Sequence, residues 1–112
     1  MAGSHLPQHQ LRAYGVAKEL LLAVVAAQVR DAKLRDEALR AAKGACLNVA
    51  EGAGRQTRAD KARAYIVARG EAAEAAAAVE LAALLDSASV ANAQVVHELA
   101  SKLVAMLTAL SR

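Results

Sequence analysis

Phenylalanine and tryptophan are missing from this chain of 112 residues, and Tyr14 and Tyr65 are its only aromatics. A core without large rings buries little apolar area per residue, and burial stabilises by about 25 cal/mol per Å². No aromatic interleaves the basic residues, so base stacking and sequence readout of a nucleic acid are not expected. Proline occurs once, at Pro7, ahead of every periodic segment. A single cysteine, Cys46, has no internal disulfide partner. That fits a reducing compartment, and the cytoplasm is the expected location. No apolar run approaches the ~18 residues that span a bilayer. The N-terminus lacks the basic-then-apolar order of a signal peptide. Histidine is sparse: His5 and His9 precede the first periodic segment and His97 is alone, without the Glu-x-x-His pairs of a di-iron bundle. No nucleophile elbow, phosphate loop or cofactor fingerprint is present. The expectation is therefore a protein without metal, cofactor, membrane or small-molecule substrate, and not an enzyme.

Alanine is abundant, at about a quarter of the residues. It favours helix because it loses no side-chain entropy, yet it packs thinly, so a partner subunit is expected to complete the burial. Charge is unevenly spread. Residues 1–70 carry 12 basic and 6 acidic side chains, whereas residues 71–112 carry 2 and 5. A basic half attracts phosphate backbones or an acidic partner, and it equally describes a solvated helical surface.

Residues 1–9 read as a flexible leader, its opening MAGSH resembling a cloning scar, and residues 10–112 as one all-α domain. From Gln10 to about Val29, Leu11, Tyr14, Ala17, Leu20, Leu21, Val24 and Val25 recur at helical spacing. Asp31 is the cap candidate for a second helix from Ala32 to the glycines of EGAG, with Leu34, Ala38, Ala41, Ala45 and Val49 on one stripe. Thr57 caps a third helix that runs to about Leu85, with Asp60 in its first turn. Tyr65, Ala68, Ala72, Ala76, Val79 and Ala83 form one side of it. Ile66, Gly70, Ala73, Ala77, Leu81 and Leu84 form the neighbouring side. After the break at DSAS, Val96, Leu99, Leu103, Met106 and Leu110 mark a fourth helix from about Val90. Four helices with short connections predict an antiparallel up-down-up-down bundle.

Two motifs stand out. Residues 47–55 read LNVAEGAGR and residues 64–82 read AYIVARGEAAEAAAAVELA. Asn48, Val49, Ala50, Glu51, Gly52, Gly54 and Arg55, followed by Tyr65, Arg69, Gly70 and Glu74, resemble the bacterial four-helix-bundle family encoded by intervening sequences in 23S ribosomal RNA genes. LRAYGVAKEL at the start of the first helix is similar as well, so the resemblance covers about residues 10–111. It departs in its short connection between helices one and two, in Ala53 where a bulky aromatic is common, and in Glu71 where serine is common. The resemblance implies a four-helix protomer assembled as a homopentameric ring. It extends to the accessory variability determinant of diversity-generating retroelements, which implies a reverse transcriptase and nucleic acid as partners.

Taken residue by residue, the first motif reads as a helix end. Glu51 and Arg55 are spaced to pair across one turn, Gly54 suits a left-handed C-cap, and Gly52 and Gly70 permit helices two and three to approach. Arg69, Glu71 and Glu74 are then expected to meet Glu51 or Arg55 in a buried polar network. Two rival arrangements are a ligand site on Asn48, Glu51 and Arg55, and a hydrolase using Glu51 and Glu74 as paired carboxylates. Cys46, beside an apolar stripe, reads as a small core residue. The candidate contact surface for RNA, DNA or a protein partner is the segment RQTRADKAR, with Arg55, Arg58, Lys61 and Arg63. It is extended by Lys33, Arg35, Arg40 and Lys43 into a basic rim that a five-fold ring would repeat.

Overall fold

The computed structural model describes residues 6–112, so residues 1–5 of the expected leader lie outside the described residues. Pro7–Gln10 form a single 3-10 turn that places the His9 ring edge-on to Tyr14, with centroids 5.9 Å apart. Four helices follow: α1 Arg12–Ala26, α2 Ala32–Gly54, α3 Arg58–Leu84 and α4 Val90–Leu110. No strand occurs among the described residues. Each helix packs on the next, α1 also closes on α4, and α1 and α3 scarcely meet, so the helices follow one another around a four-cornered antiparallel bundle. The bundle is flattened, with extents of 44 × 32 × 20 Å.

The expected caps are in place. Asp31 accepts from the Leu34 amide and Thr57 from the Asp60 amide; Ser89 does the same for Asn92. Each satisfies one amide that a helix start leaves without an intrahelical partner. The second and third helices stop where expected, at Gly54 and Leu84, and the first does not. The first helix ends at Ala26 rather than Val29 because Gln28 turns left-handed, at φ 48°. The third ends the same way at Asp86, φ 59°. There Ser87 donates its amide to Ala82 O at 2.7 Å and Asp86 to Ala83 O at 3.1 Å, a Schellman closure. No glycine among the described residues has positive φ. Gly54 is therefore not the left-handed cap expected of it. The chain leaves α2 through an extended Arg55.

Those two left-handed turns lie at the same end of the bundle, and Ser87 clasps them. Its carbonyl accepts from the Arg30 amide at 2.9 Å and its hydroxyl from the Asp31 amide at 2.5 Å, while the Arg30 guanidinium donates to Asp86 O. This is how so short a link between α1 and α2 is held.

The core is asymmetric. Leu20, Val96, Leu103 and Leu107 supply its bulk on α1 and α4. Between α2 and α3 the fully buried positions are mostly Ala38, Ala41, Ala42, Ala45, Ala68, Ala72 and Ala75. Small residues let these two axes approach closely. The outer side of α3 is not part of this core: Ile66, Gly70, Ala73, Ala77, Leu81 and Leu84 are all exposed.

Candidate functional site

Side chains at the α2–α3 seam divide the two motifs between the seam and the outer surface. Asn48 points into the seam and donates from Nδ2 to Glu71 Oε1 at 2.6 Å and to Gly44 O at 3.0 Å. The Glu71 carboxylate lies over Gly44, where any β-carbon would overlap it. One register further along, Gly52 faces the ring of buried Tyr65, whose Cε1 is 2.5 Å from the place a β-carbon would take. The close approach of α2 and α3 thus rests on Gly44 and Gly52. Gly70 has open space beside it, which corrects the expectation that it shares this role.

The expected network of Arg69, Glu71 and Glu74 around Glu51 or Arg55 does not form. Glu51 and Arg55 pair only with each other, at 3.3 Å and half exposed. Arg69 turns to the other neighbour of α3 and donates to Thr108 Oγ1 on α4 at 2.9 Å. Glu71 serves Asn48, and Glu74 takes Arg40 at 2.6 Å. Arg40 also holds Glu37 at 3.1 Å. Its guanidinium keeps the Glu37 carboxyl below the usual carboxylate range, and Glu37 raises Arg40 in return. The Arg40–Glu74 contact fixes the level of Glu74 on α2. Eleven residues of helix, about 16 Å at 1.5 Å each, then separate that level from Glu51. The two carboxylates are not a catalytic pair.

Asn48, Glu51 and Arg55 do converge with Asp60 and Arg63, around an open cleft of about 300 Å³. Two of its polar groups are already engaged: Asn48 reaches out of the cleft to Glu71, and Arg55 pairs with Glu51 within it. Among the described residues no group of three or more His, Cys, Asp or Glu could hold a metal ion. Cys46 is buried and its thiol is pushed up by that burial, which suits a core residue. Among the described residues no helix is long and apolar enough to cross a membrane.

The basic rim also divides. Arg55, Arg58, Lys61 and Arg63 gather where α2 ends and α3 begins, but they are not all free. Lys61 Nζ caps the end of α2, donating to Ala53 O at 3.0 Å and Gly52 O at 3.3 Å. Arg58 Nε donates to Arg112 O at 3.3 Å, which brings the end of α4 to the start of α3. Arg40 and Lys43 lie 12 residues or more back along α2, and Lys33 and Arg35 lie at its far end. They belong to a different surface.

What emerges is a charge division along the bundle axis. The end built from residues 12–17, 47–69 and 108–112 carries seven Lys or Arg and two Asp or Glu. The rest of the bundle, residues 18–46 and 70–107, carries seven and nine. Within it the stretch 70–101 has five acids and neither lysine nor arginine.

Gly44, the capping by Lys61 and the Ser87 clasp were not singled out from sequence. Gly44 alone had a readable signal: a glycine inside a helix costs about 1 kcal/mol against alanine and needs a packing reason.

No curated protein matches the chain. A family model does, over residues 9–109, described as 23S rRNA-intervening sequence protein. The span includes all four helices except the last residue of α4, and both motifs lie within it. With the fold of four antiparallel helices beside that match, this chain belongs to the 23S rRNA-intervening sequence protein family.

Proposed function

We propose that this protein is a non-enzymatic scaffold of the cytoplasm that assembles with copies of itself, as a homopentameric ring. The observation that carries the reading is the outer side of α3. Ile66, Leu81 and Leu84 are 56%, 47% and 76% exposed, and the residues between them on that side are Gly70, Ala73 and Ala77. An apolar side about five turns long on a small domain marks an interaction surface. The protomer's own alanine seam gives it little area to bury alone, and a neighbour supplies what is missing. Five is the number of copies that the sequence resemblance implies.

Native mass spectrometry at low salt tests this. A pentamer supports the reading, and a protomer that stays monomeric at tens of micromolar overturns it.

A second reading, a nucleic-acid-binding accessory protein, is favoured by the axial charge division. A ring would bring copies of the basic end together and turn weak phosphate contacts into avidity. Its mark is RNA or DNA that co-purifies at low salt and is lost at high salt. Arg55→Glu with Arg63→Glu is the suitable variant, since Lys61 caps the end of α2 and Arg58 holds the end of α4. Unchanged binding by that variant rejects the second reading.

A further inference from the structure

Two outer surfaces of this protomer fit one another in shape, length and charge. The first is a ridge on α2, where Arg35, Leu39, Lys43 and Leu47 follow at four-residue intervals. Leu47 is 70% exposed, and Leu39 stands between two shallow clefts, one toward α1 and one toward α3. The second is a groove between α3 and α4. Two adjoining cavities of about 330 and 260 Å³ share Glu80 and His97 and are lined by small and apolar residues, including Ala73, Ala77, Leu84 and Val90. The ridge rises over twelve residue steps, about 18 Å, and Ala73 to Leu84 over eleven, about 16 Å. Rows of side chains spaced by four are what helices seat in a neighbour's groove.

Charge decides which surface meets which. The groove lies mainly in the stretch 70–101, with Glu80 in its wall and Glu98 beside Gln94, which lines it; Val104 carries it past Lys102. The ridge carries Arg35 and Lys43. Its flank holds Arg40, which Glu37 and Glu74 already occupy, Asp36, 4.0 Å from Arg35, and Glu71, which lines the cleft beside Leu39 and Lys43 and is taken by Asn48. Groove against groove sets carboxylates opposite carboxylates, and ridge against ridge sets cations opposite cations. Only ridge against groove pairs opposite charges, with Leu47 and the outer part of half-buried Leu39 meeting the apolar floor.

We infer that the α2 ridge of one copy docks in the α3–α4 groove of the next, a head-to-tail contact between copies of this chain. The inference rests on the self-association proposed above and specifies its interface. A head-to-tail contact leaves one free ridge and one free groove at every step, so copies keep adding until a ring closes. The ridge stands on α2 and the groove on the face between α3 and α4, so the two are not back to back and successive copies turn, which favours closure.

Charge reversal tests it, read by native mass spectrometry and sedimentation with circular dichroism as the folding control. Arg35→Glu with Lys43→Glu, and separately Glu80→Lys with Glu98→Lys, are each expected to raise the dissociation midpoint about tenfold or more. The chain carrying all four reversals restores opposite charges at every interface, and its midpoint is expected to return to near the parent value. If both two-site variants assemble as the parent does, self-association stands and this interface is wrong. If the four-site chain fails to recover, the head-to-tail pairing is wrong. If the parent itself is monomeric, the underlying reading falls first. Should a reversed chain not fold, Leu47→Cys with Ala77→Cys in a Cys46→Ala background answers the same question. Oxidation is expected to give a ladder of chains beyond the dimer. Absence of any interchain disulfide in an assembled protein counts against the interface.

Discussion

The ring of Tyr65 occupies the space in which a side chain at position 52 would begin. Tyr65 is 4% exposed and cannot swing away, so Gly52→Ala forces the two helices apart. Overpacking of this kind costs about 1–3 kcal/mol, more than the helix propensity gained. Urea unfolding is expected to show a lower midpoint at unchanged slope. Gly15→Ala, with open space at its β-carbon, is expected to raise the midpoint.

Gly44→Ala should behave differently, although its β-carbon also meets an occupied position. The obstruction is the end of the flexible Glu71 side chain, which can move at the cost of its bond to Asn48. A lost hydrogen bond of about 1 kcal/mol is set against a similar gain in helix propensity. The expected change is within about 1 kcal/mol of zero, and Asn48→Ala in the Gly44→Ala background should then cost less than in the parent. Additive effects in that double-mutant cycle would contradict the shared bond.

Ser87→Ala removes the hydroxyl that receives the Asp31 amide, at a cost of about 1–2 kcal/mol. Because the clasp joins the two hairpins, hydrogen exchange is expected to quicken at Asp31 and at the start of α2 together. Thr57→Ala, at the far end of the bundle, should cost about 1 kcal/mol and leave that exchange unchanged.

Gln28→Gly relieves a left-handed residue in the α1–α2 connection and is expected to stabilise by about 0.5 kcal/mol, read as a small rise in the urea midpoint. A loss of stability instead would mean that the Gln28 side chain holds the connection.

Burial raises both the Cys46 thiol and the Tyr65 phenol above their ordinary values. The unfolded chain therefore releases these protons at lower pH than the native one. Their contribution to stability is complete below the ordinary thiol range, about 8.5, and declines as pH rises through the raised native values. The urea midpoint should hold from pH 7 to 8 and fall above pH 9, with Cys46→Ala removing the earlier part of the fall.

The bundle was legible because helix periodicity and caps are local signals. Asp31, Thr57 and the apolar stripes of α2 and α4 declare themselves within a few residues. How the helices stop was harder to read. Gln28 and Asp86 adopt a backbone that glycine usually provides, while Gly54, the residue that looked suited to it, does not. Side-chain partnerships were least legible. Nothing in the spacing of Arg69 says that it faces Thr108 on α4, or that Glu71 fills the notch at Gly44. Such pairings depend on helix rotation, which a chain with alanine on nearly every side leaves undetermined. The outer stripe of α3 was read correctly as small and apolar, yet only the packed protomer reveals that it faces away from the core.

The alanine seam between α2 and α3 inverts the ordinary pattern of mutational tolerance. In most cores truncation does the damage, because a lost methylene leaves a hole. Here the positions at Ala38, Ala41, Ala45, Ala68, Ala72 and Ala75 have almost nothing to truncate, and each added carbon must push an entire helix. Along this line the sequence is constrained by an upper bound on size. Drift toward valine or leucine, harmless in a looser bundle, would move apart the two helices that carry the ridge and the groove.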